Sequence, residues 1–169
     1  YPDLLGFKAF GTVPVIIPIA WFMMLYPSWR VAGRLLRKVR SGWFVPARIV
    51  IGALAMTAWD LSLDPRWVAD GGWVWHDGGA YFGIPLSNFL GWFVTAALIF
   101  LAWSRIDRGH RRESLAGAHL DALSPRHALP EWVYVITWMG EGMANTLFWG
   151  GPLIGLIVFV AMGIFALPV

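Results

Sequence analysis

The sequence contains no cysteine among its 169 residues, which excludes disulfides, thiolate metal sites and cysteine nucleophiles. Charge is scarce too: 14% of residues are charged, against about 25% in an average soluble domain. There is no repeat of fixed period and no low-complexity tail. A glycine-rich phosphate loop and a serine elbow are also missing, which removes the usual routes to a nucleotide-dependent enzyme or a serine hydrolase. What fills the chain is apolar. Hydrophobic residues make up 58%, aromatic residues 16%, and mean hydropathy is +0.61. Disorder requires the opposite composition. Tryptophan occurs 12 times. It favours the membrane–water boundary, where its ring is buried and its N–H stays wet. The composition is that of an integral membrane protein of one compact domain.

Five apolar stretches are candidates to cross a bilayer: about 12–29, 44–63, 85–104, 131–149 and 153–167. Pro14 and Pro18 fall in the first turns of the first stretch, where a missing N–H is tolerated. Between the stretches the charges alternate. Segment 30–43 is basic, with Arg30, Arg34, Arg37, Lys38 and Arg40. Segment 64–83 is acidic and aromatic, with Asp64, Asp70, Asp77, Trp67, Trp73 and Trp75. Segment 105–130 is basic again, with Arg105, Arg108, Arg111 and Arg112. The positive-inside rule puts both basic loops in the cytoplasm, the aromatic loop and the N-terminus outside, and the C-terminus inside. The expected fold is therefore all-α: a polytopic transmembrane helix bundle of about five helices forming a single domain, 1–169, in a bacterial or archaeal cytoplasmic (inner) membrane. The net charge of +3 and pI near 9.7 are read as topology charges, with no nucleic-acid partner. Trp29 and Trp103 are expected in an interfacial belt.

Asp60 is the first candidate for chemistry. On a helix it shares a face with Asp64, four residues on. A carboxyl in the apolar zone is costly and usually faces a partner or a cavity. The alternative is a helix-end pair in wet headgroups, with Asp64 starting a turn before Arg66. Glu141 is the second candidate, with Asn145 one turn away and Gly140 and Gly142 beside it, so that another helix can approach closely. It is either a functional acid or an interhelical clamp. The third is the run Tyr81 to Trp92. There Pro85 opens a helix and Asn88 and Trp92 lie one turn apart, at the same end of the bundle as Asp60. His76, His110, His119 and His127 lie in loops or at their edges without a second ligand at metal spacing, so no metal is expected.

Trp59-Asp60-x3-Asp64-Pro65, then Trp73-x-Trp75, then Tyr81-Phe82-Gly83-Ile84-Pro85-x-Ser87-Asn88-Phe89-x-Gly91-Trp92 resembles the integral-membrane carotenoid hydratase family. That family includes bacterial C-1′,2′ hydratases of acyclic carotene ends and the haloarchaeal bisanhydrobacterioruberin hydratase. Its members are usually longer at the N-terminus, so this chain is expected to be the C-terminal larger part of one. The resemblance implies addition of water across the terminal double bond of a linear carotenoid end, giving a tertiary alcohol, with no cofactor. It implies carotenoid and the lipid bilayer as partners. By motif position Asp60 is the expected acid, with Asp64 orienting water or acting as base and Glu141 in reserve. Trp59, Trp75, Tyr81, Asn88, Trp92 and Asn145 are the expected substrate-binding residues. The competing expectation is a non-catalytic subunit of a light-harvesting or reaction-centre pigment–protein complex that stabilises the assembly or binds carotenoid. A small transporter using Asp60 and Glu141 as a proton relay fits less well, because no repeat halves are visible.

Overall fold

The computed structural model describes residues 6–9, 11–39, 43–114 and 128–169, with 107–114 described by backbone alone. Arg40, His119 and His127 lie outside the described residues, as do the side chains of Arg108, His110, Arg111 and Arg112. A short antiparallel hairpin, β1 (Lys8–Ala9) and β2 (Val13–Pro14), precedes five helices among the described residues. These are α1 (Ile16–Leu35), α2 (Phe44–Ala69), α3 (Leu86–Ser114), α4 (Leu129–Leu147) and α5 (Pro152–Ala166).

Helix α2 is the axis of the bundle and packs on α1, α3 and α5, while α4 lies between α1 and α5. Its inward side carries Gly52, Ala53, Ala55 and Ala58, all buried. Small side chains let neighbouring backbones come close where lipid gives no hydrophobic drive to association. Tyr134 of α4, fully buried, donates its hydroxyl to the Ala55 carbonyl of α2 at 2.9 Å. The α4–α5 pair is closer still. A Cβ on Gly155 would stand 2.1 Å from Thr146 Oγ1 and 2.9 Å from the Gly142 carbonyl oxygen. Of the two glycines flanking Glu141, Gly142 faces the Phe159 ring of α5 and Gly140 meets nothing.

The large apolar side chains on the outside are exposed at helical spacing: Leu86, Leu90, Val94 and Leu98 on α3, and Leu153, Leu156, Val160 and Ile164 on α5. Exposed apolar surface of this extent marks a membrane or a partner. Helix α2, with 26 residues, and the first 21 residues of α3 are long and apolar enough to cross a bilayer. The chain is a helical membrane protein. Helix α5 is apolar throughout but has only 15 residues.

Several element ends differ from the sequence-based expectation. Pro14 lies in β2, and α1 starts at Ile16 instead of Thr12. Helix α1 also runs on to Leu35, so Arg30 and Arg34 are helical residues rather than loop residues. Helix α3 continues beyond Ser104 to Ser114. Helix α2 continues past Leu63, through Pro65, to Ala69, so Asp64 is inside the helix. Proline at position 65 has no N–H for the Leu61 carbonyl four residues back. The Tyr81 hydroxyl fills that vacancy, donating to the Leu61 oxygen at 2.8 Å. A side chain from the loop thus supplies the donor that the sequence of α2 lacks. Trp29, expected in an interfacial belt, packs in the bundle core. It is buried, stacked on Phe100 at 5.2 Å with the Arg48 guanidinium 3.9 Å above its ring. Trp103 is half-buried against Tyr26.

Candidate active site

Asp60 and Asp64 stand one turn apart on the face of α2 that meets the start of α3. Both are buried, Asp60 completely. Pro85 ends the aromatic loop and α3 begins at Leu86, which puts Asn88 in the first turn of α3. From there the Asn88 amide nitrogen donates to Asp60 Oδ2 at 3.0 Å and also to Asp64 Oδ2. One amide group thus joins two carboxyls. Nothing among the described residues donates to the other oxygen of Asp60.

A cleft of about 570 Å³ opens over this pair. Its polar wall is Asp64 and Asn88, and its aromatic walls are Trp21, Trp73, Trp75 and Trp92. Asp60 sits behind Asp64, away from the cleft surface. The volume is in the usual range for a small-molecule site, roughly 300–1,000 Å³. A narrower apolar cavity of about 130 Å³ shares Trp21, Trp73 and Trp92 with it and adds Trp59, Leu63 and Trp67. The rings brace one another: Trp21 stacks on Trp92 at 4.3 Å, Trp92 meets Trp59 edge-on at 6.1 Å, and Trp67 stacks on Trp73 at 5.2 Å. The indole N–H of Trp75, at the cleft wall, is buried without an acceptor among the described residues. Tyr81 belongs to the loop anchor and packs edge-on against Phe89. Burial, with the Asp60 carboxyl adding to it, pushes the Tyr81 phenol up to about 12.

A family model of carotenoid biosynthesis proteins matches residues 1–166. The chain belongs to the carotenoid biosynthesis protein family. No curated protein and no solved structure matches it.

In this carotenoid biosynthesis protein the remaining expected site residues fall elsewhere. Ser62, two residues beyond Asp60, points to the opposite side of α2 and donates to Glu141 Oε2 at 3.1 Å. The Trp59 indole N–H faces Glu141 without closing a hydrogen bond. Glu141 borders a separate cleft of about 280 Å³ with Arg66, Asp70 and Trp149. There Arg66 pairs with Asp70 at 2.7 Å and lies over the Trp149 ring. Asn145 is buried and donates to the backbone carbonyl of Glu141 at 2.9 Å, bracing its own helix. Neither residue lines the large cleft. Among the described residues no group of three or more His, Asp or Glu could hold a metal ion. Sequence reasoning did not find Trp21. It sits in a uniformly apolar stretch with no polar neighbour to mark it, and only the packing of α1 on α2 brings it to the cleft.

Proposed function

We propose that the protein hydrates the terminal double bond of an acyclic carotenoid end, giving a tertiary alcohol. The observation that carries this reading is the Asp60–Asn88–Asp64 cluster at the polar wall of a tryptophan-lined cleft. Two carboxyls sharing one amide donor are compatible with one proton held between them, because two negative charges at that separation repel. The pair is then a proton source in apolar surroundings.

The chemistry follows from the alkene. A proton delivered to the less substituted carbon leaves a tertiary cation on the carbon bearing two methyl groups. Asp64 faces the cleft and delivers the proton; Asp60, expected from the motif to be the acid, backs it and shares the charge left behind. The indole faces of Trp21, Trp73 and Trp92 stabilise the cation. Water, held by the Trp75 N–H and the Asn88 amide, attacks the cation and returns a proton to the carboxyl pair. One C–O and one C–H bond form, one π bond is lost, and nothing is oxidised or reduced. The cleft holds the end of the polyene, and the rest of the chain lies along the lipid-facing apolar surface.

In the proposed orientation the cleft and the aromatic loop face the outside, and the basic ends of α1 and α2 face the cytoplasm. Co-expression with the enzymes that make lycopene tests the reading. Hydroxylated carotenoid is expected from the native protein and none from Asp64→Asn. Absence of product from intact protein, together with its co-purification in a larger pigment complex, would instead favour an accessory subunit.

A further inference from the structure

The opposite end of the bundle carries a second cleft that the hydration chemistry does not use. It measures about 300 Å³ and is lined by Arg30, Arg34, Arg37, Arg48, Glu131, Phe44 and the backbone at Gly33. Four guanidinium groups meet one carboxylate there. Glu131 is already engaged: Arg30 donates to its Oε1 from Nε at 3.3 Å and from Nη2 at 3.1 Å. Arg48 is held in place by three features. Its Nε donates to the Trp29 carbonyl at 3.1 Å, its plane lies on the Trp29 ring, and it packs against α1 where residue 33 has no side chain. A Cβ on Gly33 would stand 2.9 Å from three atoms of that guanidinium group. Arg34 and Arg37, both exposed, have no carboxylate partner among the described residues.

This is more than a row of topology charges. Charges that only orient a helix need no cleft and no fixed rotamer, whereas here a glycine and an indole ring hold a guanidinium plane in place. Planar guanidinium forks match the oxygens of phosphate, and a site at the end of a helix bundle lies where lipid phosphates are concentrated. Trp43, Leu129 and Trp132 are exposed around the same end, as expected for side chains among headgroups and the first methylenes of lipid.

We propose that this cleft binds a phosphate group, with phospholipid headgroups and soluble phosphate as its two possible sources. The test is native mass spectrometry of the detergent-solubilised protein with phosphatidylglycerol, with phosphatidylcholine, and with inorganic phosphate alone. Preferential retention of phosphatidylglycerol that millimolar phosphate does not displace assigns the lipid source. Phosphate binding without lipid, or displacement of the lipid by phosphate, assigns the soluble one. In either case Arg34→Gln and Arg37→Gln should each weaken binding about fivefold, the effect of one charge near a membrane surface. Arg105→Gln removes an exposed charge outside the cleft and should leave binding unchanged. Unchanged circular dichroism in the Arg34 and Arg37 variants separates loss of binding from loss of fold. Equal retention of both lipids with no phosphate binding would overturn the site, as would equal losses in all three variants.

Discussion

Asp60 and Asp64 have the ambiguity of any carboxyl pair near a helix end until a third residue is placed. Asn88 is that residue, because a single amide hydrogen-bonding to both acids turns a helix-end pair into a cluster with one open side. Replacing Asp64 with Asn keeps the shape and removes the acid; hydration should fall by about 10²–10⁴-fold, the usual contribution of a positioned acid. Asp60→Asn should show a loss of similar order, measured as product per protein in pigment extracts. Survival of activity in both variants would remove the pair from the chemistry. Tyr81 gives a separate residue-scale test. With its phenol pushed up to about 12, it stays neutral through the range where an ordinary tyrosine near 10 ionises. Its tether to Leu61 therefore contributes fully below about pH 10 and is lost as pH rises through about 12. An absorbance titration of tyrosinate should lose its component near 12 in Tyr81→Phe.

The continuation of α2 through Pro65 depends on a donor from outside the helix. Tyr81→Phe leaves the Leu61 carbonyl without its partner and should cost about 1–3 kcal/mol in equilibrium unfolding in detergent. Pro65→Ala restores a helical N–H to the same carbonyl, so the Tyr81→Phe penalty should shrink in that background. Equal penalties in both backgrounds would show that the tyrosine works in some other way. At the α4–α5 crossing, Gly155→Leu forces apart helices that meet at Thr146 and Gly142. Overpacking there should cost about 1–3 kcal/mol or more. The same crossing explains what could be read in advance. Glycines beside Glu141 announced a close approach, and Gly142 makes one, but sequence gives no rotation for the helix and so could not separate Gly142 from Gly140. Nor could it show that α2 passes through Pro65, because the compensating hydroxyl comes from a loop that only the fold brings near.

At the scale of the whole molecule, the helix bundle and the clustering of Asp60, Asp64 and Asn88 at one end were legible. Apolar run lengths and i, i+4 spacing depend on nothing beyond the local chain. The cleft itself was less legible, since Trp21 arrives from α1 through packing and Asn145, buried, turns back to its own backbone instead of to the cleft. Trp29 packs between Phe100 and Arg48, a contact that composition does not show. The proposed orientation separates the two clefts across the bilayer. A cysteine introduced at exposed Asp77, in a chain that has none, should react with a membrane-impermeant maleimide applied from outside intact cells. Labelling only after lysis would reverse the orientation.

In the proposed reaction water adds to a carotenoid end by acid catalysis alone. The most direct measurement uses purified protein in nanodiscs with an acyclic carotenoid, in heavy-oxygen water and without added cofactor. Acid-catalysed hydration should give a tertiary alcohol whose hydroxyl carries the heavy oxygen, formed by the native protein and not by Asp64→Asn. No product, or a hydroxyl that carries ordinary oxygen, would contradict it.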